Sequence, residues 1–325
     1  MFCIREERKD ELTKKFEAIF AGLFEHPLKD KARGTSMPRI VEICMQFIVA
    51  CLGIILVGAL PSIFNGTSGG LVSFTSYFST VKQIAEGIMN YTSLTYDWNG
   101  VERELFPFLF EPVLYSLTLL LGALLIAYFI STALTYLTML IPSKHRGKTK
   151  LFIYIFESLP DIFIVFIMQF FIVFFYQKTN ILLINFVTLS EERVYLLPML
   201  CLAIFPTIQL YRLSVLLFEQ ELKKDYVDLA RMKGVSYPAI LLVHILRNAS
   251  VSLFFQSKKI VWFMLSNLFI IEYLFNIFGI TRFLSKYMSP EIFTMGILLL
   301  FIPIFLLYTI FESLLKNRVN GGESL

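Results

Sequence analysis

Six apolar stretches, each long enough to cross a bilayer, constrain this chain more than any other feature. With Lys, Arg, Asp and Glu taken as fences, they fall at residues 40–60, 112–141, 151–176, 194–218, 260–278 and 291–315. Each is near or above the ~20 residues that a helix needs to span the hydrocarbon layer. The runs are continuously apolar, whereas the strands of a membrane barrel alternate in segments of ~10 residues. An all-α, polytopic membrane protein with six spanning helices is therefore expected. Charged residues make up only 17% of the chain, against roughly 25% in a soluble domain, and the connections are too short for a large catalytic domain.

The basic residues imply an orientation. The stretch before the first span, the 142–150 connection, residues 212–259 and the C-terminal tail together hold 23 of the 29 Lys and Arg. By the positive-inside tendency these segments and both termini are cytoplasmic, as an even number of spans requires. Residues 1–39 then form a cytoplasmic tail, and residues 40–318 form the membrane domain with a charged insertion at 219–259. Residues 319–325 form a second tail. Leu12, Phe16, Ile19, Phe20 and Leu23 recur at helical spacing among charges, so the first tail suits an interfacial or partner-binding helix. Its mixed charge before Ile40 argues against a cleavable signal peptide. Membrane lipid is the expected surroundings, and the net charge of +4 is too small to suggest a nucleic-acid partner.

Reactive chemistry is sparse. Gly147-Lys148-Thr149 resembles the end of a phosphate-binding loop, but Pro142 stands where that loop needs its first glycine. His26, His145 and His244 are the three histidines, none in a metal-ligand spacing. Cys44, Cys51 and Cys201 lie in apolar runs and Cys3 in the tail, so buried small residues are expected rather than a disulfide or metal clip. No metal, cofactor or enzymatic activity is expected of this chain.

The insertion carries the most specific signal. Residues 225–249 read DYVDLARMKGVSYPAILLVHILRNA, as two short helices about a sharp break. Asp225 and Asp228 suit the positive end of the first helix dipole, and Arg231 and Lys233 suit its negative end. Gly234 ends it as a left-handed cap, and Ser236 stands where it can cap the next helix ahead of Pro238.

Here the chain resembles the permease subunits of ATP-binding-cassette importers, in the peptide and nickel branch. That family's loop reads approximately D-Y-V-R-x-A-R-A-K-G-L-S, then H-A-L-R-N-A. Asp225, Tyr226, Val227, Ala230, Arg231, Lys233, Gly234, Ser236, His244, Leu246, Arg247, Asn248 and Ala249 match it in register. Ile271-Glu272, Phe275-Asn276, Gly279 and Arg282 resemble the V-E-T-V-F-N-x-P-G-x-G-R stretch that follows, with Phe278 and Thr281 in place of the usual Pro and second Gly. Val215 stands where an Arg is usual, and the family's P-G-D-P element after the first span is missing.

The resemblance implies a type I importer fold in the bacterial cell membrane. It implies a homologous permease as partner, usually a different chain, with two cytoplasmic ATP-binding subunits and an extracytoplasmic substrate-binding protein. The insertion then becomes an ATPase-coupling loop, with Asp225, Tyr226, Ala230, Arg231, Lys233, Gly234, His244, Arg247 and Asn248 as its coupling residues. Short peptides are the first expected cargo and nickel or metal chelates the next. Glu157, Asp161, Glu272 and Asn276 are candidates for the translocation path, because a lipid-facing charge costs about 2.5–3.5 kcal/mol on insertion scales. For Glu157 and Asp161 an interfacial pair is an equal reading, and for Glu272 so is a helix-pairing role. An ion-coupled secondary transporter is the alternative, although the inverted repeats common in that class are not evident. A membrane-bound enzyme would need a reactive cluster that the sequence lacks.

Overall fold

The computed structural model describes residues 39–64, 73–180 and 193–322. The tail helix expected around residues 5–24, Cys3 and His26 lie outside the described residues. The chain divides into two compact units, residues 1–50 and 51–325, the division falling within the first helix. Of the first unit, residues 39–50 are described, as the start of α1 (Arg39–Ala59). Cys44 there is exposed, against the expectation of burial, whereas Cys201 in the second unit is buried.

The second unit is mainly helical. Helices α2 (Phe74–Met89), α3 (Phe110–Leu140), α4 (Ser143–Ile155), α5 (Asp161–Thr179), α6 (Leu196–Glu221) and α7 (Asp225–Met232) follow in order. Next comes α8 (Tyr237–Leu274), a continuous helix with a π turn over Ile240–Ile245. The last two are α9 (Ile280–Lys286) and α10 (Pro290–Gly322). Six helical segments, at Ile40–Phe64, Phe110–Leu140, Ile162–Thr179, Leu196–Glu221, Tyr237–Leu274 and Pro290–Leu315, are long and apolar enough to cross a membrane.

Two of the expected boundaries are corrected. The third span was placed at 151–176, but Leu151–Ile155 belongs to α4, and the chain turns through Phe156–Ser158 and Pro160 before α5 begins. Proline disfavours helix at the preceding residue, and the break falls in the polar stretch Glu157-Ser158-Leu159-Pro160-Asp161. The second short helix of the insertion is also no separate helix. It is the first part of α8, 38 residues long and so about 57 Å from end to end. Lys258 and Lys259 were read as a fence before the fifth span, yet the helix runs through them, and Lys258 Nζ lies 3.1 Å from Glu312 Oε2 of α10. A paired charge does not end a helix.

A β hairpin, β1 (Thr95–Trp98) with β2 (Val101–Glu104), interrupts the helices. Asn99 and Gly100 both take positive φ in its turn, the conformation that Asn-Gly provides between twisted strands.

Along with Leu119 and Leu120, helix α3 buries the small and polar residues Ser116, Ala123, Ala127, Ser131, Thr135 and Thr138. Such residues let helix backbones approach closely where lipid gives no hydrophobic drive. The central core joins Leu119, Leu120, Ala123 and Ala127 of α3 to Leu202 and Ala203 of α6 and to Val261, Met264 and Leu268 of α8. A second cluster sits under the hairpin, and a third packs α7 and the start of α8 against the ends of α3 and α6.

Candidate functional site

Helix α8 ends in a corner at each side, and these corners hold most of the residues singled out from the sequence. At its start, α7 closes with Lys233 as the cap and Gly234 at φ +76°. The Gly234 N–H donates to the Arg231 carbonyl at 2.9 Å and the Val235 N–H to the Ala230 carbonyl at 3.1 Å. This pair of bonds is the Schellman motif, which satisfies orphan carbonyls at a helix end and asks for a residue that tolerates the left-handed region. Ser236 occupies the cap position of α8 but makes no side-chain capping bond.

Val227 and Ala230 are buried and pack with Val215, Phe218, Ile240, Leu241 and Ile245. Val215 thus supplies apolar wall to the corner where the resembled family carries an Arg. Tyr226 Oη donates to Glu221 Oε2 at 2.6 Å, Lys224 Nζ lies 2.5 Å from Glu221 Oε1, and Asn248 joins the same cluster. Burial, then the Glu221 carboxylate, pushes the Tyr226 phenol up to about 12. The half-buried Tyr226 and the exposed Asn248 therefore meet at Glu221 and tie α7 to the end of α6 and to α8.

Asp225, Lys233, Gly234 and Arg247 are exposed, and His244 is half-buried in the π turn. Arg231 is paired with Asp228 at 3.0 Å. Sequence reading missed the two apolar side chains of α7 beside them: Leu229 is 54% and Met232 76% exposed. Their spacing of three residues puts them on one face, and that spacing among the charges was the available signal.

The far corner has the same backbone closure and different surroundings. Asn276 takes φ +54° after α8, its N–H donates to the Tyr273 carbonyl at 3.3 Å, and the Ile277 N–H donates to the Glu272 carbonyl at 2.8 Å. Asn276 Oδ1 also accepts from Arg282 Nη1 at 2.6 Å. The Glu272 side chain is fully buried, with every bond directed inward. Its carboxylate accepts from Ser116 Oγ at 2.5 Å, from Thr281 Oγ1 at 2.5 Å and from the Arg282 N–H at 3.0 Å. Ser116 Oγ in turn accepts the Ile280 N–H at 2.8 Å. Glu272 thus fastens α8 to α3 and to the start of α9, and Thr281, where the resembled family has a glycine, supplies one of the donors. A Cβ on Gly279 would lie 2.3 Å from the Glu272 carboxylate, so the glycine is needed for space.

Of the other two expected path residues, Glu157 follows α4 and accepts from Arg212 Nη1 of α6 at 3.1 and 3.3 Å. Its side chain is one-third exposed. Asp161 opens α5, and its side chain lies outside the described residues. Nothing joins Glu157 to Glu272 or Asn276 among the contacts described. Among the described residues no group of three His, Cys, Asp or Glu is placed to hold a metal ion.

A family model described as "Binding-protein-dependent transport system inner membrane component" matches residues 139–321, more than half of the chain and both corners. No curated protein matches.

Proposed function

We propose a specific role for this chain from the premise that it belongs to the family of binding-protein-dependent transport system inner membrane components: it is a permease subunit that moves short peptides. Membership makes it a multi-pass inner-membrane permease component of an ATP-binding-cassette importer, whose family is not itself catalytic. The peptide and nickel branch is the finer reading, supported by the register of residues 225–249 and 271–282 with that branch's motifs. Nickel or metal chelates are the next cargo class. The working assembly pairs this chain with a homologous permease, two cytoplasmic ATP-binding subunits and an extracytoplasmic binding protein.

The α7–α8 corner is the seat of the ATPase, and both termini share its cytoplasmic side. One observation carries this reading: the corner packs its inner face into an apolar cluster and closes its own backbone, yet offers exposed Leu229, Met232 and Gly234 at its tip. An apolar patch ringed by Asp225, Arg231 and Lys233 suits a helix seated in a groove, with buried anchors and a polar rim. Because α8 runs unbroken from this corner to Glu272, displacement at one end is delivered to the other as rigid motion. Arg247 and His244, on its first turns, complete the coupling surface.

For the translocation path Glu157 and Asp161 are retained, since Pro160 breaks the chain between them and the Glu157 carboxylate remains partly open. Glu272 and Asn276 shape the extracytoplasmic corner, which borders the path.

The test is co-purification. Nothing lies within 4 Å of a Cβ built on Gly234, so Gly234→Glu projects into open space without a clash. The variant should reach the membrane and keep its unfolding temperature within a few degrees, yet lose its ATPase subunits on purification. Retained ATPase binding with full transport would refute the role given to the corner.

A further inference from the structure

On one side of helix α4, the amphipathic link between α3 and α5, two basic residues bond to the rest of the protein. On that side Arg146 donates from Nε to the Ile141 carbonyl at 2.7 Å and from Nη2 to the Met139 carbonyl at 2.8 Å. Its Nη2 also reaches the Tyr237 hydroxyl, at the start of α8, at 3.1 Å. One turn on, Lys150 Nζ lies 2.5 Å from Glu219 Oε1 of α6. These two basic residues are spent on protein partners.

The other side differs. Lys144, Lys148, Leu151 and Ile155 are all exposed, Leu151 by 63% and Ile155 by 57%. Spacings of four, three and four residues bring them onto a single stripe of a helix with 3.6 residues per turn. Neither Lys144 nor Lys148 has an ion-pair partner among the described residues. The stripe is graded, with two ammonium groups in the first half and two aliphatic side chains in the second. Beyond it lie exposed Phe156 and the apolar span of α5.

The gradient matches the polarity profile of a membrane interface crossed at a slant. From Lys144 to Ile155 the helix rises ~16 Å, whereas the headgroup layer on each side of a bilayer is only about 5–7 Å deep. A modest tilt places the ammonium groups among headgroups and the aliphatic ones among acyl chains. Lysine stems bury their methylenes while the charge stays at the interface.

We propose that the outward stripe of α4 is a binding surface for anionic phospholipid, with Lys144 and Lys148 on the headgroup phosphate and Leu151 and Ile155 in the acyl layer. Charge decides the occupant: a zwitterionic headgroup offers no net attraction to two lysines, whereas each lysine at an anionic surface is drawn in appreciably. The contact stands on α4 alone, so it survives or fails independently of the importer assignment.

Native mass spectrometry of the purified full-length chain in detergent tests it, with phosphatidylglycerol and phosphatidylcholine titrated separately. The wild type should bind phosphatidylglycerol roughly tenfold more tightly. Lys144→Gln/Lys148→Gln should lose that preference, and Lys144→Arg/Lys148→Arg should keep it, as should Lys223→Gln, a change at an exposed lysine outside α4. Equal affinity for the two lipids in the wild type, or an undiminished preference in the double Gln protein at unchanged helicity, would overturn the proposal. Should the double Gln protein fail to fold, the single Lys148→Gln protein takes its place, with a reduced preference expected and an unchanged one overturning.

Discussion

The two corners of α8 close with the same backbone bonds and put their glycines to opposite uses. Gly234 is required for its conformation: φ is +76° and no atom lies within 4 Å of a Cβ built there. Gly279 is required for its size: its φ is −94°, ordinary for any residue, but a Cβ would strike the Glu272 carboxylate. The first corner is therefore exposed at its tip and complete only within, while the second is filled. A helix corner that closes its own backbone yet leaves Leu229 and Met232 uncovered is the one proposed to receive another subunit. One whose buried carboxyl oxygens are bonded to Ser116, Thr281 and the Arg282 N–H ties its own helices together.

Substitutions that exchange these two roles should have graded effects. The largest is expected at Gly279→Val, which drives the carboxylate off its donors. Each buried polar group left without its partner costs about 1–3 kcal/mol, and the bonds from Ser116, Thr281 and the Arg282 N–H are all at stake, so the protein should unfold at markedly lower denaturant in detergent. Ser116→Ala comes next. It leaves Glu272 with fewer donors and the buried Ile280 N–H without its acceptor, at about 1–3 kcal/mol for a buried group left unsatisfied, measurable by the same unfolding assay. Gly234→Ala should be mildest, about 1–2 kcal/mol for an L-residue in the left-handed region. Equal losses at Gly234→Ala and Gly279→Val would erase the distinction between the corners.

How much of this was legible in the sequence also differs between the corners. At the near corner the Gly234 cap was legible, because Gly after a basic last turn is a local signal, but Ser236 makes no capping bond and the helix after it runs on to Leu274. The far corner was legible only as a resemblance. What Glu272 does depends on Ser116, 156 positions away, and no local pattern encodes that contact. The spans were found because hydropathy accumulates over ~20 residues, but an end was misjudged where a charge is paired, as at Lys258, and where the break at Glu157-Ser158-Leu159-Pro160 was passed over between two apolar runs. The hairpin was announced by Asn99-Gly100 between Tyr-Asp-Trp and Val-Glu-Arg, a signal overlooked in a chain dominated by helical runs.

Two exposed methionines allow the corners to be compared directly: Met232, 76% exposed beside Gly234, and Met288, 79% exposed just after α9. In a chain whose four cysteines are replaced, Met232→Cys and Met288→Cys can each be labelled with a maleimide–benzophenone reagent, whose photoactivated ketone inserts into C–H bonds of whatever lies beside it, and irradiated in membranes containing the assembled transporter. Cross-linking to the ATP-binding subunit from position 232, changing in yield with ATP, and none from position 288, is the predicted result. No product from position 232, or an equal one from position 288, would contradict a corner built to receive the ATPase.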